Sequence, residues 1–368
     1  MKIALVHDYL TQSGGAERVL EALHEVWPDA PIFTSLYNPA AFPNHWRSWD
    51  IQESFLGRIP GARHHHRALL PLYPLAFASF RRELAAFDVV LSDTSAWAHQ
   101  AGTSAQLRIA YCHSPSRFLW GDETYLSPAR IPAPVRKAMD IGFGGLRWLD
   151  RRAARNLDVV IANSHAVAHR VEQVWGRSAG VVYPPIQTER FDPARPDEIE
   201  PYALIVSRLV PHKRIDLAVD ACTATGRPLK VVGSGPAEER LRQRAAATVV
   251  FLGQRSDEET ADLMSRCQVF ILPGQEDFGI TAVEAQAAGR PVVAYRGGGA
   301  LESIIEGQTG VFFTDQTPES LAAALAIADR TIWSADACRS NAMRFATPRF
   351  QQEMLEIVQS ALRATAVT

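Results

Sequence analysis

Glu276 and Glu284 stand eight positions apart, with Gly279 between them. The apolar run Val269, Phe270, Ile271 and Leu272 precedes them, a turn at Pro273 and Gly274 follows it, and 289–294 reads as the next strand. This order puts Glu276 on a loop beyond a strand's carboxyl end and Glu284 about one turn into the following helix. Ligands of open α/β sheets bind in that position, and backbone N–H groups at a helix N-terminus favour phosphate. A carboxylate cannot bind phosphate, but it accepts hydrogen bonds from sugar hydroxyls. The layout therefore suits a ligand that carries both groups, a nucleotide sugar.

Arg208 and Lys213 bracket a short loop at the end of another candidate strand, with Ser207 before them and Pro211 and His212 between. A nucleoside diphosphate gains negative charge as its bond to sugar breaks, so two fixed cations stabilise the transition state more than the ground state. Arginine grips phosphate oxygens in a fork and lysine acts as a point charge. The competing reading is a basic helix start on a solvated face. Gly233 with Gly235, Gly253 after Phe251 and Leu252, and Gly297 to Gly299 all follow strands. Glycine there permits close approach to a ligand, and an ordinary tight turn asks for the same residue.

Between the first strand and first helix lie Ser13, Gly14 and Gly15, without the G-x-G-x-x-G spacing or a well-placed acid for a ribose, so dinucleotide binding is a weak reading. A loop touching a phosphate or an acceptor fits at least as well. His113, beside Tyr111 and Pro115 at another strand's carboxyl end, could bind a sugar hydroxyl or face an emerging positive charge.

The stretch 54–82 holds no acidic residue but carries Arg58, Arg63, Arg67, Arg81 and Arg82 with Phe55, Tyr73, Phe77 and Phe80. Basic plus apolar suggests an anionic membrane surface or a lipid-diphosphate acceptor; the alternative is a partly buried helix with its arginines in solvent. The triplet His64, His65, His66 is no metal site, because consecutive side chains diverge on helix and strand alike.

Short β-branched runs alternate with helical patterns throughout. Candidate strands are 3–6, 87–91, 108–112 and 158–162, then 203–206, 229–232, 249–252, 269–272, 292–294 and 311–313, with a first helix over 17–26. Such alternation means α/β architecture with parallel sheets. A chain of 368 residues fits two domains, and the charged, proline-rich stretch 191–198 marks the boundary region. The expected domains are 1–187, joined by a C-terminal helix within 348–368, and 188–347: two Rossmann-like domains facing each other across a cleft. The net charge of −2 gives no global field for nucleic acid. Cys112, Cys222, Cys267 and Cys338 are scattered, with neither a C-x-x-C nor a metal spacing, which reads as reduced thiols in a cytosolic protein. The N-terminus turns polar too soon for a signal peptide, and Pro71 and Pro74 interrupt the longest apolar stretch.

Taken together, the chain resembles the family 4, or group 1, retaining glycosyltransferases of GT-B fold over nearly its full length. The resemblance rests on Glu276 with Glu284, on Ser207, Arg208 and Lys213, and on Gly233, Ser234, Gly235 and Pro236, with Gly253, Asn163, Ser164, Gly14 and Gly15 in agreement. Within the family, the segments 276–280 and 284–295 look most like bacterial mannosyltransferases of polysaccharide assembly, which typically use GDP-mannose; the alternatives are the same chemistry with a UDP-sugar donor and a non-catalytic nucleotide-binding scaffold.

The resemblance implies that Arg208 and Lys213 hold the donor diphosphate. Glu276 binds donor-sugar hydroxyls with the N–H groups of Phe278, Gly279 and Ile280, and Glu284 binds the ribose. His113 lies beside the reacting sugar, Gly15 lines the cleft from the first domain, and Gly233, Leu252 and Gly253 line the donor side. It further implies no cofactor and no metal (Asp-x-Asp is absent from the chain), and, with the basic stretch 54–82, it suggests a lipid-diphosphate-linked glycan as acceptor at the inner face of a membrane. The chain departs from the family at Tyr183 to Gln187, at Asp277, where glycine or serine is common, and at Ala282, where proline is frequent.

Overall fold

The computed structural model describes residues 1–12, 14–121 and 133–365, with the side chains of 66–68 and 133–141 left out. Ser13 and the side chains of His66 and Arg67 thus lie outside the described residues. The chain divides into two compact units, Met1–Tyr183 with Phe350–Thr368, and Pro184–Arg349. The expected junctions at 187 and 347 lie a few residues from these bounds. The reason is local: Ile186 bridges to Ala346, its N–H donating to Phe345 O at 2.9 Å while Thr347 N–H returns to Ile186 O at 3.1 Å, which ties 184–187 to the second unit.

In the first unit, β1 (Ile3–His7), β2 (Ile32–Thr34), β3 (Ile51–Glu53), β4 (Val89–Thr94), β5 (Leu107–Cys112), β6 (Val159–Ala162) and β7 (Gly180–Val181) form a parallel sheet in the order β3-β2-β1-β4-β5-β6-β7. Its central strands β1 and β4 are buried along their whole length, so each opens as an apolar run without alternation, Ile3 to Val6 and Val89 to Leu91, and ends in buried polar residues, His7 and Ser92 to Thr94. The helix Gly15–Val26 connects β1 to β2 and turns Val19, Leu20 and Leu23 into the core. The helix Thr347–Thr365 adds Phe350, Met354 and Val358, spaced four apart on one face, to the same core, with Phe350 edge-on to Tyr111 at 5.5 Å.

In the second unit, β8 (Glu200–Val206), β9 (Leu229–Val232), β10 (Val249–Gly253), β11 (Cys267–Leu272), β12 (Val292–Tyr295) and β13 (Gly310–Phe313) form a parallel sheet in the order β10-β9-β8-β11-β12-β13. In each sheet the strand order reverses beside the first strand, between β1 and β4 and between β8 and β11. A crevice opens at such a point, outside the carboxyl ends of the strands.

Candidate functional site

The second unit gathers its charged residues at that reversal. Lys213 ends the short turn Pro211–Lys213 after β8, and Arg214, in the left-handed region at φ 52°, starts the helix Ile215–Thr225. Glu276 follows β11. Lys213 Nζ lies 2.6 Å from each carboxylate oxygen of Glu276, and the two side chains remain 22% and 14% exposed. The residues expected to hold phosphate and sugar separately are therefore one ion pair, open enough to meet a ligand. Arg208 is exposed, and its guanidinium has no ion pair among the described residues.

Backbone packing explains the glycines. Gly233 has φ 121°, and a Cβ there would lie 1.9 Å from Ser207 O; a Cβ on Gly235 would lie 2.4 Å from Leu209 O. The turn presses on the Arg208 loop, which returns Ser207 N–H to Val232 O and Leu209 N–H to Ser234 O, both at 3.0 Å. The absent side chain at Gly233 thus makes room for protein backbone. Gly253, at φ 70°, has open space where a Cβ would be, and its carbonyl accepts Gly233 N–H at 2.8 Å; Leu252 beside it is half-buried. Gly298 and Gly299 repeat the device on the Glu276 loop: a Cβ on Gly299 would lie 2.3 Å from Phe278 Cα, and Gly299 N–H donates to Glu276 O at 3.0 Å.

Gly279, at φ 92°, opens the helix Ile280–Ala287. Phe278 packs its ring against Phe345 at 5.3 Å, so only its backbone can face a ligand. The N–H groups of Gly279 and Ile280 donate to no acceptor among the described residues, as the first amides of a helix do until something caps them. Glu284 is buried one turn further in. The helix is held in orientation by Gln286, which donates to Ser303 O at 3.0 Å and accepts from Asn341 Nδ2 at 2.6 Å.

The first unit assembles a different cluster at its own reversal. His7 ends β1, Asp93 lies in β4 opposite it in register, and His113 follows β5. Asp93 bridges the two imidazoles, with Oδ2 2.8 Å from His7 Nδ1 and Oδ1 hydrogen-bonded to His113 Nε2. Glu17, in the first turn of the helix opened by Gly14 and Gly15, brings Oε1 to 3.8 Å from His7 Nε2. Burial alone would lower the His7 pKa, but the hydrogen bonds and charges of Asp93 and Glu17 outweigh it and push it up to about 10. His113 moves upward by the same opposition, and Asp93 is held below the usual carboxylate range despite its burial. Asp8, next in the chain, accepts the N–H groups of Ser95, Ala96, Trp97 and Ala98 and so fixes the loop after β4.

Among these, His113 and Gly15 were legible as candidates, and His7, Asp93 and Glu17 were not. The available signal was their common place at the ends of β1 and β4 and at the following helix start.

The 54–82 stretch divides in two. Tyr73, Phe77 and Phe80 are core residues, whereas Phe55 is 42% and Leu75 62% exposed, and Arg58, Arg81 and Arg82 lie on the surface. Arg63 is bound to Glu53. Among the described residues no helix is long and apolar enough to cross a membrane.

Residues 13–190 match the model of glycosyltransferase family 4, and residues 186–341 that of glycosyl transferases group 1. The chain belongs to the family 4, group 1 glycosyltransferases. A GDP-mannose-dependent α-(1-6)-phosphatidylinositol monomannoside mannosyltransferase of Mycobacterium tuberculosis is 32% identical over 48% of this glycosyltransferase and 54% of that protein. A GDP-mannose-dependent α-mannosyltransferase of the same organism is 29% identical over 54% of each. The chain spans about half the length of these curated relatives. Anabaena HepE, solved with UDP, superposes with a TM-score of 0.74 at 23% identity, covering 98% of this chain and 100% of its own. That likeness shows the fold, GT-B, with its two parallel-sheet domains.

Proposed function

We propose that this glycosyltransferase moves mannose from GDP-mannose, with retention of configuration, onto a glycan carried by a lipid diphosphate in bacterial polysaccharide assembly. The observation that carries the reading is the Lys213–Glu276 pair, which joins the loop after β8 that also carries exposed Arg208 to the loop that leads into the helix Ile280–Ala287. A lysine ammonium has three donors; Glu276 engages it from one side and leaves it able to meet a diphosphate oxygen. Glu276, so oriented, accepts sugar hydroxyls, and Glu284 accepts those of the ribose. The names of the mycobacterial relatives support guanine and mannose.

In the step itself the bond from C1 to the phosphate oxygen breaks, and a bond from C1 to the acceptor oxygen forms on the same face. The acceptor's proton passes to the departing phosphate, and GDP leaves. Arg208 and Lys213 supply the charge that a divalent ion would otherwise bring. The exposed Phe55, Leu75, Arg58, Arg81 and Arg82 support contact with an anionic lipid surface, where such an acceptor lies.

Transfer from radiolabelled GDP-mannose and UDP-glucose to polyprenyl-diphosphate acceptors, with and without EDTA, tests the reading. Mannosyl transfer that survives chelation and yields an α product supports it. Transfer from the uridine donor alone, or transfer abolished by EDTA and restored by a divalent ion, overturns the donor or the metal-free step respectively.

A further inference from the structure

The cluster at the ends of β1, β4 and β5 holds more charge than a lone histidine beside a sugar requires. The side chains of His7, Asp93 and Glu17 are 4%, 1% and 8% exposed, and that of His113 is 14% exposed. A neutral His7 with its proton on Nδ1 would turn its Nε2 lone pair toward the Glu17 carboxylate 3.8 Å away. With the proton on Nε2, the Nδ1 lone pair would face Asp93 at 2.8 Å. Only the imidazolium presents N–H to both, and two buried carboxylates without a cation would be strongly disfavoured. His7 is thus the counter-cation that keeps Asp93 ionised.

An ionised Asp93 then decides the state of His113. The nitrogen of His113 that faces it, Nε2, must carry a proton, because two lone pairs at hydrogen-bond distance repel. The Tyr111 ring stands edge-on to the imidazole, 5.3 Å between centroids, and limits its rotation. Nδ1 is the nitrogen that remains.

We propose that Asp93, anchored by His7, is a positioning residue that fixes the ring orientation and the Nε2 proton of His113, so that His113 offers Nδ1 to a sugar hydroxyl during transfer. This deepens the glycosyl-transfer reading above and rests on it.

Among the described residues, the charged and titratable groups facing His113 are Asp93 from β4, His7 from β1, Glu17 from the helix Gly15–Val26 and Tyr111 from β5. Asp93 raises the His113 pKa and His7 lowers it. The two anchors therefore have opposite signatures. In full-length protein with isotope-labelled histidine, Asp93→Asn moves the NMR titration midpoint of His113 down by about one unit or more, and His7→Gln moves it up. A purely structural role would move both variants the same way or neither.

In the transfer assay Asp93→Asn lowers kcat about 100-fold, while the donor KM stays within about threefold of wild type. Added to His113→Gln, it costs nothing further, because it acts through that ring. An unshifted midpoint in both variants overturns the proposal. So does full additivity of Asp93→Asn on His113→Gln, or an unchanged kcat in both single variants. If Asp93→Asn does not fold, the rise of the midpoint in His7→Gln with a lowered kcat still tests the link. If the wild type transfers no sugar from any donor, the functional reading fails, and the midpoints still report whether Asp93 and His7 set the state of His113.

Discussion

The two units share a sheet plan and differ in what they do with it. Each gathers charged side chains where strand order reverses, at β1 and β4 in one and at β8 and β11 in the other. In the second unit the charged side chains stay open: Arg208 is exposed, and the Lys213–Glu276 pair keeps about a fifth of its surface on the lysine side. In the first unit the corresponding charges are inside, His7, Asp93 and Glu17 being nearly closed off and only His113 reaching outward. Open cations can meet a phosphate directly. A closed cluster can act only by fixing the group at its rim. The same topology therefore supports a binding role in one unit and an orienting role in the other.

The sharpest way to break that contrast is Lys213→Ala. Losing a fixed cation at a developing phosphate charge should cost about 1,000-fold in kcat/KM, about 4 kcal/mol of transition-state stabilisation. The pair is open, so the melting temperature should stay within a few degrees of wild type. Near-normal turnover would return Lys213 to the role of a solvated helix start.

Next in size is Gly233→Ala. It forces a Cβ to 1.9 Å from Ser207 O at a φ of 121°, which should destabilise the second unit by about 2–3 kcal/mol, as read by urea unfolding. Hydrogen exchange should rise in 207–235 and leave β1 and β4 protected. Rise in both units alike would contradict the local account.

The third outcome concerns pH and the first unit. His7 binds its proton far more tightly folded than unfolded, with a folded value near 10 against an ordinary 6.5. Its stabilisation is complete below about pH 6.5 and is lost as pH rises toward 10. Asp93 is lowered on folding, so its stabilisation is present above its ordinary 3.8 and disappears as pH falls below it. Protection of β1 and β4 in hydrogen exchange should fall at both extremes, and His7→Gln should remove the alkaline loss. A flat alkaline profile in the wild type would contradict the assignment of His7 as an imidazolium.

The smallest effect is expected at the surface. Leu75→Ser should weaken binding to vesicles containing anionic lipid by about three- to tenfold, since it removes one exposed apolar side chain from a basic patch. Unchanged flotation would assign 54–82 to packing alone.

What could be read from the sequence follows the same division. Arg208, Lys213 and Glu276 stand in loops after β8 and β11, where residue type and interval carried the signal. Ten strands, each built on a short run of apolar and β-branched residues, were legible within a few residues of their ends. β2 and β3, three residues each, and β7, two residues, are too short to show a period and exist through pairing with their neighbours. His7, Asp93 and Glu17 lie 10 to 86 positions apart, on different elements. The pairing of β1 with β4 sets His7 opposite Asp93, and the start of the following helix brings Glu17 to His7. Gly233 and Gly299 read as loops near a ligand because a close approach was required, and sequence alone does not say whether ligand or backbone makes it.

The most direct test of the central claim is the thermal shift of the intact protein with GDP, set beside the Lys213→Ala variant. A ligand that binds only the folded form raises stability by about 2.7 kcal/mol at a hundred times its Kd. The account predicts a clear rise in melting temperature with GDP and GDP-mannose in the wild type, and its loss in Lys213→Ala. An equal rise in both proteins, or none with any nucleotide, would contradict a diphosphate site at the β8–β11 reversal.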